Sequence, residues 1–129
     1  MKSFKGRKVP GFDNEVYKLQ IPIEYENSSR NDWVKDLKCV IDTGAEISSV
    51  PQKMLSYIYY NILQEDIPIK NAQQEYLGTS VMVSVKIQDF ERNVEMIVSK
   101  LDFSLIGMNL LQEFEFFVNG PKKHFLLIY

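Results

Sequence analysis

The chain has 129 residues, 45% of them hydrophobic and 12% aromatic, and 15 basic against 17 acidic side chains leave a formal net charge of −2. That length and composition describe one globular domain with a real core and exclude a disordered chain. Acids and bases are interspersed with no basic helix or basic-aromatic stripe, which argues against a nucleic-acid partner, and one cysteine excludes an internal disulfide. Nothing at the start reads as a signal peptide, and no apolar run approaches membrane-spanning length. The expectation is therefore a cytoplasmic protein with no membrane partner.

Residues 1–15 begin with Lys2, Lys5, Arg7 and Lys8 and read as a basic, flexible tail ahead of a domain spanning 16–129. Tyr17, Leu19, Ile21, Ile23 and Tyr25 then alternate with polar residues, the period of a half-buried strand. Pro22 cannot donate to a ladder, so this strand belongs at an edge or a bulge. Residues 27–32 form a turn. A second strand, 33–41, delivers Asp42 at its end, where Thr43-Gly44-Ala45 breaks the run. Gly44 allows a tight turn and presents its N–H without a Cβ in the way. Cys39 reads as a small buried packing residue, and the one histidine, His124, is too far along the chain to suggest a Cys–His pair.

Ser49-Val50-Pro51-Gln52 has the form of a helix start, with Ser49 as cap, and Met54, Leu55, Ile58, Ile62 and Leu63 follow at helical spacing. The expected helix covers about 51–63, with Tyr57, Tyr59 and Tyr60 on its rim. Residues 67–78 read as a hairpin that turns at Asn71-Ala72-Gln73-Gln74. Val81, Val83, Val85 and Ile87, then Val94, Met96 and Val98, alternate as two antiparallel strands around a turn at 89–93. After Leu105-Ile106-Gly107, Asn109 and Gln112 fit the cap of a short helix, 109–114. An apolar hairpin closes the chain, 114–118 and 124–129. The fold class expected is all-β, a small closed barrel with one or two helices.

Two of these stretches carry a resemblance. Asp42-Thr43-Gly44-Ala45 resembles the active-site loop of aspartic peptidases in the form found in retroviral proteases. Ser104-Leu105-Ile106-Gly107-Met108-Asn109-Leu110-Leu111 resembles the other hallmark of that family, two apolar residues and a glycine before a short helix. The separation of Gly44 from Gly107 is about that of small retropepsin-like domains, and the likeness in element order runs from about Tyr17 to Tyr129. It implies an acid-protease type of barrel and a peptide hydrolase in which Asp42, Thr43 and Gly44 are catalytic. By the same resemblance, residues 67–78 are a flap, and substrate is met by Ala45, Ile69, Asn71, Ala72, Gln73 and Gln74. Leu105, Ile106 and Gly107 would support the loop, with no metal and no cofactor.

Hydrolysis by carboxylates needs two of them sharing a proton, and this chain has one Asp-Thr-Gly. A second copy of the chain supplies the other, so the partners implied are the protein itself, as a homodimer, and a peptide or protein substrate. The flap tip lacks the glycines of retroviral proteases. That departure keeps a second reading open, a catalytically silent dimerisation or peptide-binding module. A metal site fails on ligands, with one histidine and one cysteine far apart.

Overall fold

The computed structural model describes residues 2–5, 7–8, 17–70, 75–122 and 124–129. In chain order the strands are β1 (Lys2–Lys5), β2 (Arg7–Lys8), β3 (Tyr17–Lys18), β4 (Gln20–Glu26), β5 (Trp33–Ile41) and β6 (Ser48–Pro51). A 3-10 helix (Gln52–Ser56) precedes β7 (Tyr60–Lys70), β8 (Glu75–Ile87), β9 (Phe90–Ser99) and β10 (Leu105–Ile106). The helix α1 (Met108–Leu111), β11 (Glu115–Asn119) and β12 (His124–Ile128) complete the chain. The protein is all-β, as its alternating patterns predict. No helix among the described residues is long and apolar enough to cross a membrane.

The main sheet runs β4-β5-β10-β6-β9-β8-β7 and returns on itself, because β4 also pairs with β8. Alternation explains the closure. Ile21, Ile23 and Tyr25 on β4, Val81, Val83, Val85 and Ile87 on β8, and Val94 and Met96 on β9 all turn inward and are buried. Each such side chain removed from water stabilises the fold by about 1.5–3 kcal/mol. Pro22 sits where the β4–β5 register shifts between Ile21 and Ile23, so its missing N–H falls at an irregularity of the ladder. A second sheet has the order β1-β12-β11. Lys2–Lys5, in the stretch expected as a basic, flexible tail, pairs antiparallel with β12, and Arg7–Lys8 pairs with Tyr17–Lys18.

The helix expected over 51–63 is not formed. Pro51 ends β6, which pairs in parallel with β9, and only Gln52–Ser56 turns, as a 3-10 helix without a side-chain cap. Ser49 lies inside the strand and caps nothing. From Tyr60 onward the chain is extended against β8. The helical spacing was misleading because its members face different surroundings. Ile58 is buried, whereas Ile62 and Leu63 are exposed. The run Tyr57-Ile58-Tyr59-Tyr60 is rich in aromatic and β-branched residues that favour a pleated surface, and pairing with β8 outweighs local helical periodicity.

The second helix is also shorter than expected, one turn at Met108–Leu111 with Gly107 as N-cap in place of Asn109. The side chain of Asn109 is engaged elsewhere. The turn expected at 89–93 is tighter, at Gln88 and Asp89, with Gln88 at φ 57 and β9 beginning at Phe90. Between β7 and β8 the expected hairpin is present in both arms, with Ile69 opposite Tyr76. Its turn, Asn71, Ala72, Gln73 and Gln74, lies outside the described residues.

Candidate active site

Strand β5 carries the chain to Asp42. Cys39, Val40 and Ile41 anchor its last turn of backbone by burial, and β10 runs parallel beside it, with Leu105 opposite Val40 and Ile106 opposite Ile41. The ladder continues one step further, since Asp42 N–H donates to the Ile106 carbonyl at 2.9 Å. The chain then turns. Ala45 N–H donates to the Asp42 carbonyl at 3.2 Å, and Gly44 N–H donates to Asp42 Oδ1 at 3.0 Å. A Cβ on Gly44 would lie 3.3 Å from that same oxygen, so any larger residue would crowd the carboxylate by a few tenths of an ångström. Thr43 and Gly44 are exposed, Asp42 and Ala45 half-buried.

The loop is held from behind by the segment that begins at Ser104. Gly107 N–H donates to Ser48 Oγ at 2.9 Å, Met108 N–H to the Ala45 carbonyl at 2.8 Å, and Asn109 N–H to the Glu46 carbonyl at 2.9 Å. Asn109 Oδ1 accepts from both Ser48 N–H (2.9 Å) and Ser48 Oγ (2.8 Å), while its Nδ2 donates to the Glu95 carbonyl (2.9 Å). A single asparagine thereby ties the loop's exit strand to β9. Leu105, Ile106 and Gly107 thus lie directly against Asp42 and the turn that follows it. Ile69 is on the outer hairpin, its Cδ1 filling the space that a Cβ on Gly78 would need. Asn71 to Gln74 cannot be placed relative to Asp42, being outside the described residues.

Beside Asp42 opens a pocket of about 380 Å³, lined by Val40, Ile41, Asp42, Leu101, Phe103 and Leu105. One carboxylate in an otherwise apolar hollow can bind an apolar side chain while facing the polar bond next to it. Leu101 and Phe103 escaped the sequence reading. Their signal was available, two apolar residues alternating with Asp102 and Ser104 just ahead of Leu105. Asp36 was not singled out in the sequence either. It sits within β5 and is buried. Cys39 is fully buried, and burial first, then the nearby Asp36 carboxylate, pushes its thiol well above the ordinary value. A thiol so held is a packing group and not a nucleophile.

Comparison with known proteins follows the same line. The model of a family described as "gag-polyprotein putative aspartyl protease" matches residues 34–113, a span that holds both Asp42-Thr43-Gly44 and Leu105-Ile106-Gly107. No protein of curated function matches the chain. Among solved structures, a retropepsin-like aspartic protease from Rickettsia conorii superposes with a TM-score of 0.59 at 21% identity, over 98% of this chain and 88% of that one. The EIAV protease complexed with the inhibitor HBY-793 superposes with a TM-score of 0.58 at 16% identity, over 74% of this chain and 86% of that one. At these identities the superpositions speak for a shared fold.

Proposed function

Because the chain belongs to the gag-polyprotein aspartyl protease family, we propose that it is an aspartic endopeptidase, active as a homodimer in which each copy contributes one Asp42. The observation that carries this reading is the placement of Asp42, half-buried at a strand end, with one amide donor on Oδ1 and an apolar pocket at its side. Each chain has one Asp-Thr-Gly, and two carboxylates in contact are what the chemistry requires. On the two-fold axis of a dimer Asp42 meets its own mate. In such a dimer the hydroxyl of Thr43, exposed in the single chain, would hydrogen-bond across that axis. Phe117 and Val118, on opposite faces of β11, and Tyr129 beside that strand stay about half exposed, apolar surface that a second copy packed against the terminal sheet would cover.

In the reaction, one carboxylate takes a proton from a water held between the pair while the other, protonated, donates to the substrate carbonyl oxygen. The water oxygen adds to the carbon, giving a tetrahedral diol. As that diol collapses, the amide nitrogen accepts a proton and the C–N bond breaks, leaving a carboxylic acid and an amine. The apolar lining beside Asp42 favours extended peptides with apolar residues at the scissile bond.

The test is Asp42→Asn. An amide can neither take the proton from water nor share one with its mate, so cleavage of a mixed peptide library is expected to disappear while sedimentation mass and melting temperature stay near wild type. Retained turnover in this variant, or full specific activity from a species with monomer mass, defeats the reading.

A further inference from the structure

Behind the apolar pocket stands a buried polar trio. Asp36 lies on β5, the strand that ends at Asp42; Ser104 immediately precedes β10; and Tyr25 is on β4. None is more than 8% exposed. Ser104 offers Asp36 Oδ2 both its backbone N–H, at 2.9 Å, and its hydroxyl, at 2.5 Å. Lys38 N–H donates to Oδ1 at 2.9 Å. The Tyr25 hydroxyl stands 2.6 Å from Ser104 Oγ. Ser104 has one hydroxyl proton and Asp36 receives it, so Tyr25 is the donor in that last bond. A carboxylate this deeply placed persists only if its lone pairs are met, and here three donors, two from Ser104 and one from Lys38, meet them.

None of the three lines the pocket. Their effect passes through Ser104, which is the fixed point of the segment that forms the pocket's apolar wall. Leu101 and Phe103 come before it, Leu105 comes after it, and all three face the space beside Asp42. The Ser104 carbonyl also accepts Val40 N–H at 2.9 Å, so the same residue is keyed to the strand that delivers Asp42. Leu105 is held by its strand pairing as well, and Ser104 adds a buried polar anchor at the point where the wall leaves the sheet toward Phe103 and Leu101. Resting on the protease reading above, we propose that Asp36, Ser104 and Tyr25 are positioning residues that fix this wall and thereby set the preference for a large apolar side chain at the scissile bond.

Two variants loosen the anchor with little change in volume. Asp36→Asn has a single side-chain oxygen, so it can satisfy the donors of Ser104 or that of Lys38, but on the other side it sets N–H against N–H. Ser104→Ala removes the hydroxyl from both of its bonds. A third, Tyr25→Phe, leaves the Ser104–Asp36 bonds in place and removes only the outer donor. Each full-length protein is assayed on two peptides that differ in one residue beside the scissile bond, phenylalanine against alanine. The dissociation constants of the same peptides are read by fluorescence anisotropy. The expected result for Asp36→Asn and Ser104→Ala is a tenfold fall in kcat/KM on the phenylalanine peptide, mostly through KM, with under threefold change on the alanine peptide. Tyr25→Phe is expected to narrow the ratio between the peptides about threefold, and the anisotropy ratios are expected to move in step.

Equal losses on both peptides overturn the proposal, because a merely structural cluster lowers the amount of folded enzyme without regard to substrate. An unchanged ratio in Tyr25→Phe overturns it as well, even where the other two variants do not fold. A wild-type protein that binds both peptides and cleaves neither defeats the protease reading instead, and the anisotropy ratios then judge the trio by themselves.

Discussion

Gly107 is where the second segment crosses the Asp42 loop, and replacing it by alanine tests how closely the two are packed. A Cβ at this position would lie 2.7 Å from the Ile47 carbonyl carbon, 2.8 Å from the Ile47 oxygen and 2.9 Å from the Ala45 oxygen. All three are backbone atoms, so no side-chain rotation relieves the clash. The backbone at Gly107, φ −91 and ψ −176, is open to any residue, which makes the cost steric alone. Ordinary contact begins near 3.4 Å, so the loop must retreat by about 0.7 Å from its closest approach of 2.7 Å. That movement pulls on the bonds from Met108 N–H to Ala45, from Asn109 N–H to Glu46 and from Gly107 N–H to Ser48. Overpacking of this kind costs about 1–3 kcal/mol, and weakening one or two hydrogen bonds adds about 1 kcal/mol. A loss of about 2–4 kcal/mol lowers the melting temperature of a domain of this size by roughly 10 °C. Displacement of the turn beside Asp42 is expected to lower kcat by about a hundredfold. Calorimetry and peptide turnover on Gly107→Ala measure both, with Gly120→Ala as the control, since a Cβ there meets nothing within 4 Å. A Gly107→Ala protein that melts and turns over like the control would refute the steric argument.

Three further outcomes are expected. Burial above all holds the Tyr25 hydroxyl and the Cys39 thiol well above their ordinary values of 10.0 and 9.0, so the unfolded chain gives up these protons first as pH rises. Stability is then full below about pH 8 and declines as pH climbs past 9 toward the raised folded values; thermal melts between pH 7 and 10.5 should show this, and the decline should flatten in Tyr25→Phe and Cys39→Ala. Asn109→Ala strips the buried Ser48 of its acceptor and frees the Glu95 carbonyl, and a loss of about 2–3 kcal/mol is expected in urea unfolding; a change under about 0.5 kcal/mol would show that water replaces the side chain at no cost. Gly78→Ala forces only the end of Ile69 to rotate, so global stability should fall by no more than about 1 kcal/mol, while amide exchange in 67–70 and 75–78 speeds up; unchanged exchange there would mean that Ile69 does not hold the two arms together.

Much of the architecture is local and can be read from residue order. Strand β5 spans Trp33–Ile41 as its pattern predicts, because a β-branched, apolar run must end where Asp-Thr-Gly-Ala offers a turn. Alternation along Val81 to Ile87 requires a strand with one buried face, and the two hallmark stretches need only their own residues to announce the family. What could not be read depends on partners distant in the chain. Residues 51–63 have the spacing of a helix, but whether Ile62 lies on a helix or a strand is decided by β8, about twenty residues later, to which local propensity is blind. Asp36 looks like any surface carboxylate until Ser104 and Tyr25 are brought to it by the closing of the sheet. The glycine at 107 reads as part of a stretch that supports the loop, yet why it must be glycine shows only where the backbone of 45–47 passes within 3 Å of where a Cβ would stand. Composition, period and turn chemistry thus determined the class of fold, and the resemblance of two short motifs singled out Asp42. Long-range pairing alone decided what surrounds that carboxylate, because hydrogen-bond partners and steric limits belong to pairs of segments and not to either one.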